Sequence, residues 1–300
     1  MITIIDICST SLIIGLLYSI LAIGTITSFR IVGFPDMTPD GSFVIGAAIS
    51  GVCLIGGFPW WIAVIFGCFG GVICGLITAY LYLQFHISKL LSGILNMTML
   101  YSISLRVMGR SNLSLQKSEN TMWQIFNPSD NLYLSLLLCI IIVLILVSFY
   151  YFFLKTITGL RLRALGDSES TFEKKGFPVS KYTYYGLAIS NTLSALSGAF
   201  ISQYQGFVDV GMGSGVVIIS LAGVIIGETL LKPENVFSLL MSAILGMVIY
   251  EGVISFCLQM GLPATDLKIA TAVVTILFIA FRQMQNMKSN NDRQIGNQSI

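Results

Sequence analysis

The chain has 300 residues, 55% of them hydrophobic and only 10% charged, with a formal net charge of +2, against the roughly 25% charged content of soluble globular domains. A mean hydropathy of +0.86 excludes an ordinary soluble enzyme, and so small a net charge excludes a nucleic-acid binder. The composition reads as an all-α, polytopic membrane protein, with one transmembrane domain over residues 1–284 and a cytoplasmic tail over 285–300.

In chain order, apolar runs of the about 17 to 25 residues that a helical crossing requires fall near 10–29, 38–56, 60–84, 88–108, 131–154, 183–204, 214–230, 236–257 and 267–283. These predict about nine transmembrane segments, within a range of eight to ten. The first run has no basic stretch before it and no small-residue cleavage site after it, so it is expected to be a retained span. Six cysteines lie in or beside apolar segments without metal or redox spacing. They are expected to be small buried hydrophobes, with neither a disulfide framework nor a metal site.

A short self-similarity divides the chain. Gly33-Phe34-Pro35-Asp36 and Gly206-Phe207-Val208-Asp209 share GFxD, and each precedes a glycine-rich apolar segment. With 131–154 as a connector span, repeat one (about 10–108) and repeat two (about 183–283) lie in opposite senses across the membrane, the inverted-repeat arrangement of transporters. Both GFxD segments read as broken or re-entrant helices. Such backbone is tolerated at membrane depth only where it is buried in protein or lines a wet cavity. A half-helix N-terminus there would suit a ligand carboxylate, with Asp36 or Asp40 available to an ammonium group. Asp36, Asp40, Asn96, Gln203 and Asp209 are therefore the candidate pathway residues.

Other polar residues inside the apolar runs are candidates for packing first. Asn96, Thr98, Ser102 and Ser104 are expected to decorate one side of the fourth span, which suits either interhelical hydrogen bonds or a cavity wall, with packing expected for most of them. Gly67, Gly70, Gly71 and Gly75 are expected to let two helices approach closely. Glu251 must face protein or water rather than lipid, and Glu228 falls at the inner end of its span.

The longest polar stretch, residues 155–181, holds Lys155, Arg161, Arg163, Lys174, Lys175 and Lys181. Its basic character puts it on the cytoplasmic side. Alternation then places Arg30, Lys89, Lys232, Arg282, Lys288 and Arg293 inside as well, with the N-terminus out and the C-terminus in. Asp167 or Ser168 can cap a short helix here, Ser170 and Glu173 have capping-box spacing, and Gly176 and Pro178 end it. Phe172 is expected to be an exposed apolar anchor on a polar helix. No nucleotide, hydrolase or metalloprotease motif occurs in the chain, so it is expected to have no catalytic residues and no cofactor of its own. Two energy sources remain open: a partner docked on 155–181, or an ion gradient acting through membrane carboxylates such as Glu251 and Asp209, as in an ion-coupled secondary transporter of small polar solutes.

ITGLRLRALGDSESTFEKKGF at 157–177 resembles the cytoplasmic coupling segment of ABC-importer permeases of the branched-chain amino acid and ribose class. PDMTPDGSF at 35–43, GILNMTMLYSISLRVMGRSNLSL at 93–115 and ISNTLSALSGAFISQYQGFVDVGMGSGVVIISLAGVIIGE at 189–228 resemble the bacterial branch labelled tryptophan/tyrosine transport permeases. The resemblance covers the chain to about residue 284. It implies an inner-membrane subunit that homodimerises and takes substrate from an extracytoplasmic substrate-binding lipoprotein. It also implies that a separate ABC ATPase hydrolyses ATP and docks around Gly166, Asp167, Ser168, Phe172, Glu173 and Gly176.

Overall fold

The computed structural model describes residues 4–116, 120–126 and 131–261, and within 269–280 the residues 269, 271–273, 275–277 and 280. The ninth expected span, 267–283, and the tail therefore lie largely or wholly outside the described residues. The long elements are helices: α1 Ile4–Ile26, continued by a π-helical turn Thr27–Val32; α2 Pro39–Ile55; α3 Trp60–Phe85; and α4 Lys89–Met108. After strand β1 Asn112–Ser114 come α5 Met122–Phe126, α6 Leu132–Lys155, α7 Ile157–Asp167, α8 Glu169–Lys174 and α9 Val179–Gln205. Strand β2 Phe207–Asp209, a 3-10 turn Val210–Gly213, α10 Val216–Leu231 and α11 Val236–Gln259 follow.

Six helical segments among the described residues are long and apolar enough to cross a membrane. Two of the expected spans differ for physical reasons. At 17 residues α2 is about 25 Å long, short of a hydrocarbon core about 30 Å thick. Helix α9 has 27 residues but carries Ser190, Asn191, Ser194, Ser197, Ser202 and Gln203, all buried. It is a central helix: Ser190, Asn191, Ser197 and Gln203 bond to neighbouring segments, and Ser194 and Ser202 to carbonyls of α9 itself, instead of meeting lipid.

Those bonds fix its direction. Ser190 Oγ donates to Gly24 O at 2.8 Å and Ser197 Oγ to Leu17 O at 2.9 Å, so α1 and α9 run antiparallel in contact. Helix α9 also packs on α2 and α3, while α1 packs on α11 and α11 on α10. The α3 glycines behave as expected: a Cβ on Gly75 would come within 2.2 Å of Leu187 O, so backbone meets backbone at the α3–α9 crossing. The same crossing sets Gly75 against Ala188, and Gly15 of α1 meets Val248 of α11 in the same way. The offset that carries Gly33 onto Gly206 carries each of these pairs onto the other.

Strands β1 and β2 form a short antiparallel ladder pairing Asn112 with Asp209, Leu113 with Val208 and Ser114 with Phe207. It was not expected from an all-helical reading. The ladder ties the end of α4 to the end of α9, while α7 and α8 lie at the opposite end of the bundle, against the π turn and the start of α9.

Candidate functional site

The two GFxD segments form the same local device. Gly33 ends the π turn with φ 69° and Gly206 ends α9 with φ 76°, the left-handed conformation that favours glycine. Three residues later a carboxylate closes a turn on the backbone two positions ahead. Asp36 Oδ1 accepts from Thr38 N at 2.9 Å, and Asp209 Oδ1 accepts from Gly211 N at 2.7 Å. Each device reverses the chain and leads to a short helix, α2 or α10.

These two helices meet at Asp40. It sits in the first turn of α2, yet its Oδ2 accepts from Gly215 N at 3.0 Å and its Oδ1 from Val217 N at 2.7 Å. The N-cap of α10 is Gly215, which has no side chain to cap the helix, so the carboxylate of another segment satisfies its first donors and its dipole. The expectation of a half-helix N-terminus open to a ligand anion is thus corrected at α10: the chain's own Asp40 occupies it. Gly213 packs so closely on Asp40 O that a Cβ there would come within 2.1 Å. Beside this junction lies a cavity of about 330 Å³, walled by Asp40, Gly41 and Val44 of α2, Met97, Thr98 and Tyr101 of α4, and Val210, Gly211, Gly213 and Ser214. It is mostly hydrocarbon, with one carboxylate and a few hydroxyls.

At the other end, Thr156 Oγ1 accepts from Gly159 N to start α7, and Ser168 Oγ accepts from Thr171 N to start α8. The cap is thus at Ser168, not in the Ser170–Glu173 box, because α7 runs on to Asp167 and leaves Ser168 as the one extended residue between two helices. Gly176 ends the segment with φ 79°. Gly166 rests on the π turn, where a Cβ would come within 2.2 Å of Ile31 O. Phe172 is only 3% exposed, packed between Phe177 and Tyr182 at ring separations of 5.1 and 5.4 Å. The expected exposed anchor is therefore corrected: Phe172 fastens α8 to the start of α9, and the exposed large apolar side chains of α7 are Ile157 and Leu160. The sequence carried that signal in the spacing of Ile157 and Leu160 off the face of buried Leu162 and Leu165. Asp167, Glu169, Glu173, Lys174 and Lys175 are exposed.

Residues 7–287 match the family model described as branched-chain amino acid transport system, permease component. The chain belongs to this permease family. It is a permease of the ABC-importer class, in which the ATPase is a separate subunit. Over 282 residues the permease is 37% identical to the tyrosine transport system permease protein of Clostridioides difficile, covering 94% of this chain and 93% of that one. Over 262 residues it is 25% identical to the fructose import permease protein FruG of Bifidobacterium longum, covering 83% and 76% of the two chains. The solved structure of PsaBC from Streptococcus pneumoniae in complex with Fab shares the fold, with a TM-score of 0.50 over 89% of each chain at 15% identity.

The permease brings only Asp40 of the five candidate pathway residues to the cavity wall. Asp36 is fully buried, and its second oxygen accepts from Asn191 Nδ2 at 2.8 Å. Asn96 is fully buried and donates to Cys74 O and Thr78 Oγ1. Gln203 is buried between Met122 N and Ser50 Oγ. Asp209 holds its turn beside Asn112. The polar residues of α4 split between two faces: Asn96 and Ser104 point inward, whereas Thr98 and Ser102 are exposed. Of the two readings of these residues, packing or a cavity wall, Thr98 takes the second. Glu228, at the inner end of its span as expected, is buried and paired with Arg30. Glu251 does not line the cavity.

Proposed function

We propose that the permease carries a small zwitterion, an amino acid with an aromatic side chain, inward across the bacterial inner membrane past the cavity at Asp40. The observation that carries this is the junction itself: two short helices meet beside a mostly apolar chamber holding one carboxylate. A volume of about 330 Å³ lies within the roughly 300 to 1,000 Å³ range of small-molecule sites. The aromatic wall of Tyr101 suits an aromatic ring, and Asp40 suits an ammonium group. The relative whose name specifies tyrosine transport supports the same substrate class.

The matched turns at Gly33 and Gly206, with the reciprocal contacts of Gly15 and Gly75, support two inverted repeats around the connector α6. In this reading the chain crosses about nine times, with α2 and α10 as half-helices that each complete a crossing together with the broken segment before them, and the expected span at 267–283 as the last. Arg30, Lys89 and the basic residues of α7 and α8 gather at one end, which supports a cytoplasmic face there, with the N-terminus out and the C-terminus in. Two copies pair so that their cavities share one path. An ABC ATPase docks on the polar face around Asp167, Glu173 and Gly176, and a substrate-binding lipoprotein delivers at the β1–β2 end.

Reconstitution of the permease with its ATPase and binding protein in liposomes tests this. Tyrosine uptake that needs ATP and all three proteins is the expected result. ATP-driven uptake of fructose but not of tyrosine would overturn the substrate class. Uptake by the permease alone on an imposed ion gradient would overturn the proposal as a whole.

A further inference from the structure

The α10 helix is held by charge at both ends. At its start Asp40 takes two backbone donors. Near its other end Glu228 accepts from Arg30 Nε at 3.1 Å and Nη2 at 2.6 Å, a two-pronged pair. A carboxylate in the last turn of a helix is opposed by the helix dipole, so Glu228 depends on Arg30 and not on its own helix. The Glu228 side chain is 4% exposed and that of Arg30 is 55% exposed.

Arg30 projects from the π turn, a rare wider helical geometry often found at functional positions. This is also the turn on which α7 rests through Gly166 and Ile31. Between α1 and α10, next to the pair, a groove of about 260 Å³ is walled by Ile26, Phe29, Leu221, Val224 and Ile225. The two helices are loosely packed where the ion pair ties them together; α10 is packed closely on α11, where a Cβ on Gly227 would come within 1.8 Å of Ser242 O, so a shift of the π turn displaces α10 together with α11. At the far end of α10 that displacement reaches Asp40 and the cavity wall.

We infer that the Arg30–Glu228 pair is the positioning link by which movement of α7–α8 shifts α10 and reshapes the cavity, an inference resting on α7–α8 being the ATPase-facing segment. Neither residue touches the transported solute. A second tie, Lys89 Nζ to Glu169 Oε2 at 2.9 Å, joins α8 to the start of α4, the opposite cavity wall, but both of its side chains are partly exposed. Exposed single-pronged pairs contribute little; Arg30 is itself 55% exposed, but Glu228 is only 4% exposed and held by two bonds, so that pair carries the link.

The test uses the complete reconstituted transporter and two readouts. One is ATP hydrolysed per solute moved. The other is the effect of nucleotide on cross-linking between cysteines at Thr98→Cys and Ser214→Cys in a background without native cysteines. Glu228→Gln is expected to raise the ATP cost per solute about fivefold or more, the lower bound of typical site-to-site coupling, and to remove the nucleotide effect on cross-linking while the ATPase subunit still co-purifies. The double swap Arg30→Glu with Glu228→Arg should restore both readouts. If Glu228→Gln lowers membrane yield, Arg30→Lys keeps the charges and loses the fork, and should give a smaller rise in the same direction. Wild-type ratio and cross-linking in Glu228→Gln would overturn the link alone. Undiminished ATPase binding after Glu173→Arg with Lys174→Glu would overturn the docking reading, and the link with it.

Discussion

The turns at 33–38 and 206–215 begin from the same four-residue pattern and the same hydrogen bond, yet serve different ends. In the first, Phe34 and Asp36 are buried, with 1% and 0% exposure, and the carboxylate is gripped by Asn191 of α9. In the second, Phe207 is 40% exposed, Asp209 faces Asn112 at the surface, and the glycines beyond it line the cavity. Identical local chemistry thus yields a locked joint on one side and an open wall on the other. What differs is the neighbour: α9 passes through the middle of the bundle and covers the first turn, while the second lies between α2 and the thin β1–β2 ladder and leaves one side on the cavity.

The largest expected effect comes from breaking the locked joint. Asp36→Ala leaves Thr38 N and one of the two Asn191 Nδ2 hydrogens without an acceptor in the protein interior, and each buried donor so stranded costs about 1 to 3 kcal/mol. The expected outcome is a sharp fall in the yield of detergent-stable permease and in the unfolding temperature of what remains. An Asp36→Ala permease that melts like the wild type would mean that the two turns are equivalent after all.

The long apolar helices were legible because their burial or lipid exposure needs only a continuous hydrophobic run. Helix α3 and its glycines followed directly, since small residues at helical spacing have one common use. Helix α9 was legible as an element but not as the centre of the bundle, because its serines and asparagine lower its hydropathy while pointing to neighbours far away in sequence. The Asp40 contact with α10 was hidden for the same reason. Gly215 at a helix start signals that a cap must come from elsewhere, but nothing local says from where. Phe172 misled because an aromatic on a polar six-residue helix looks exposed until Phe177 and Tyr182 are seen to enclose it. The GFxD pair was the most informative short pattern, since it found both chain reversals, though not that one is sealed and the other open.

Asp40 joins the two regions, and changing it sharpens the comparison at intermediate cost. Asp40→Asn keeps the shape and one acceptor but removes the charge from the α10 N-terminus, a loss of about 1 kcal/mol of stability. The permease should still insert and purify. Uptake should fall about tenfold, equivalent to about 1.4 kcal/mol, if the carboxylate meets the solute's ammonium group. Unchanged uptake would make Asp40 a cap and nothing more.

The smallest effect belongs to the open turn. Asp209→Ala removes one acceptor for Gly211 N and the contact with Asn112, both within reach of water, so that water replaces the lost bonds and the cost stays at or below about 1 kcal/mol. The melting temperature should move by a few degrees at most, and uptake should remain near wild type, because Asp209 shapes the turn without lining the cavity. A loss of uptake as deep as that of Asp40→Asn, with the protein still folded, would show that the conformation of 206–215 itself sets the cavity. The open wall would then be as tightly specified as the sealed joint, by the ladder to β1 instead of by burial.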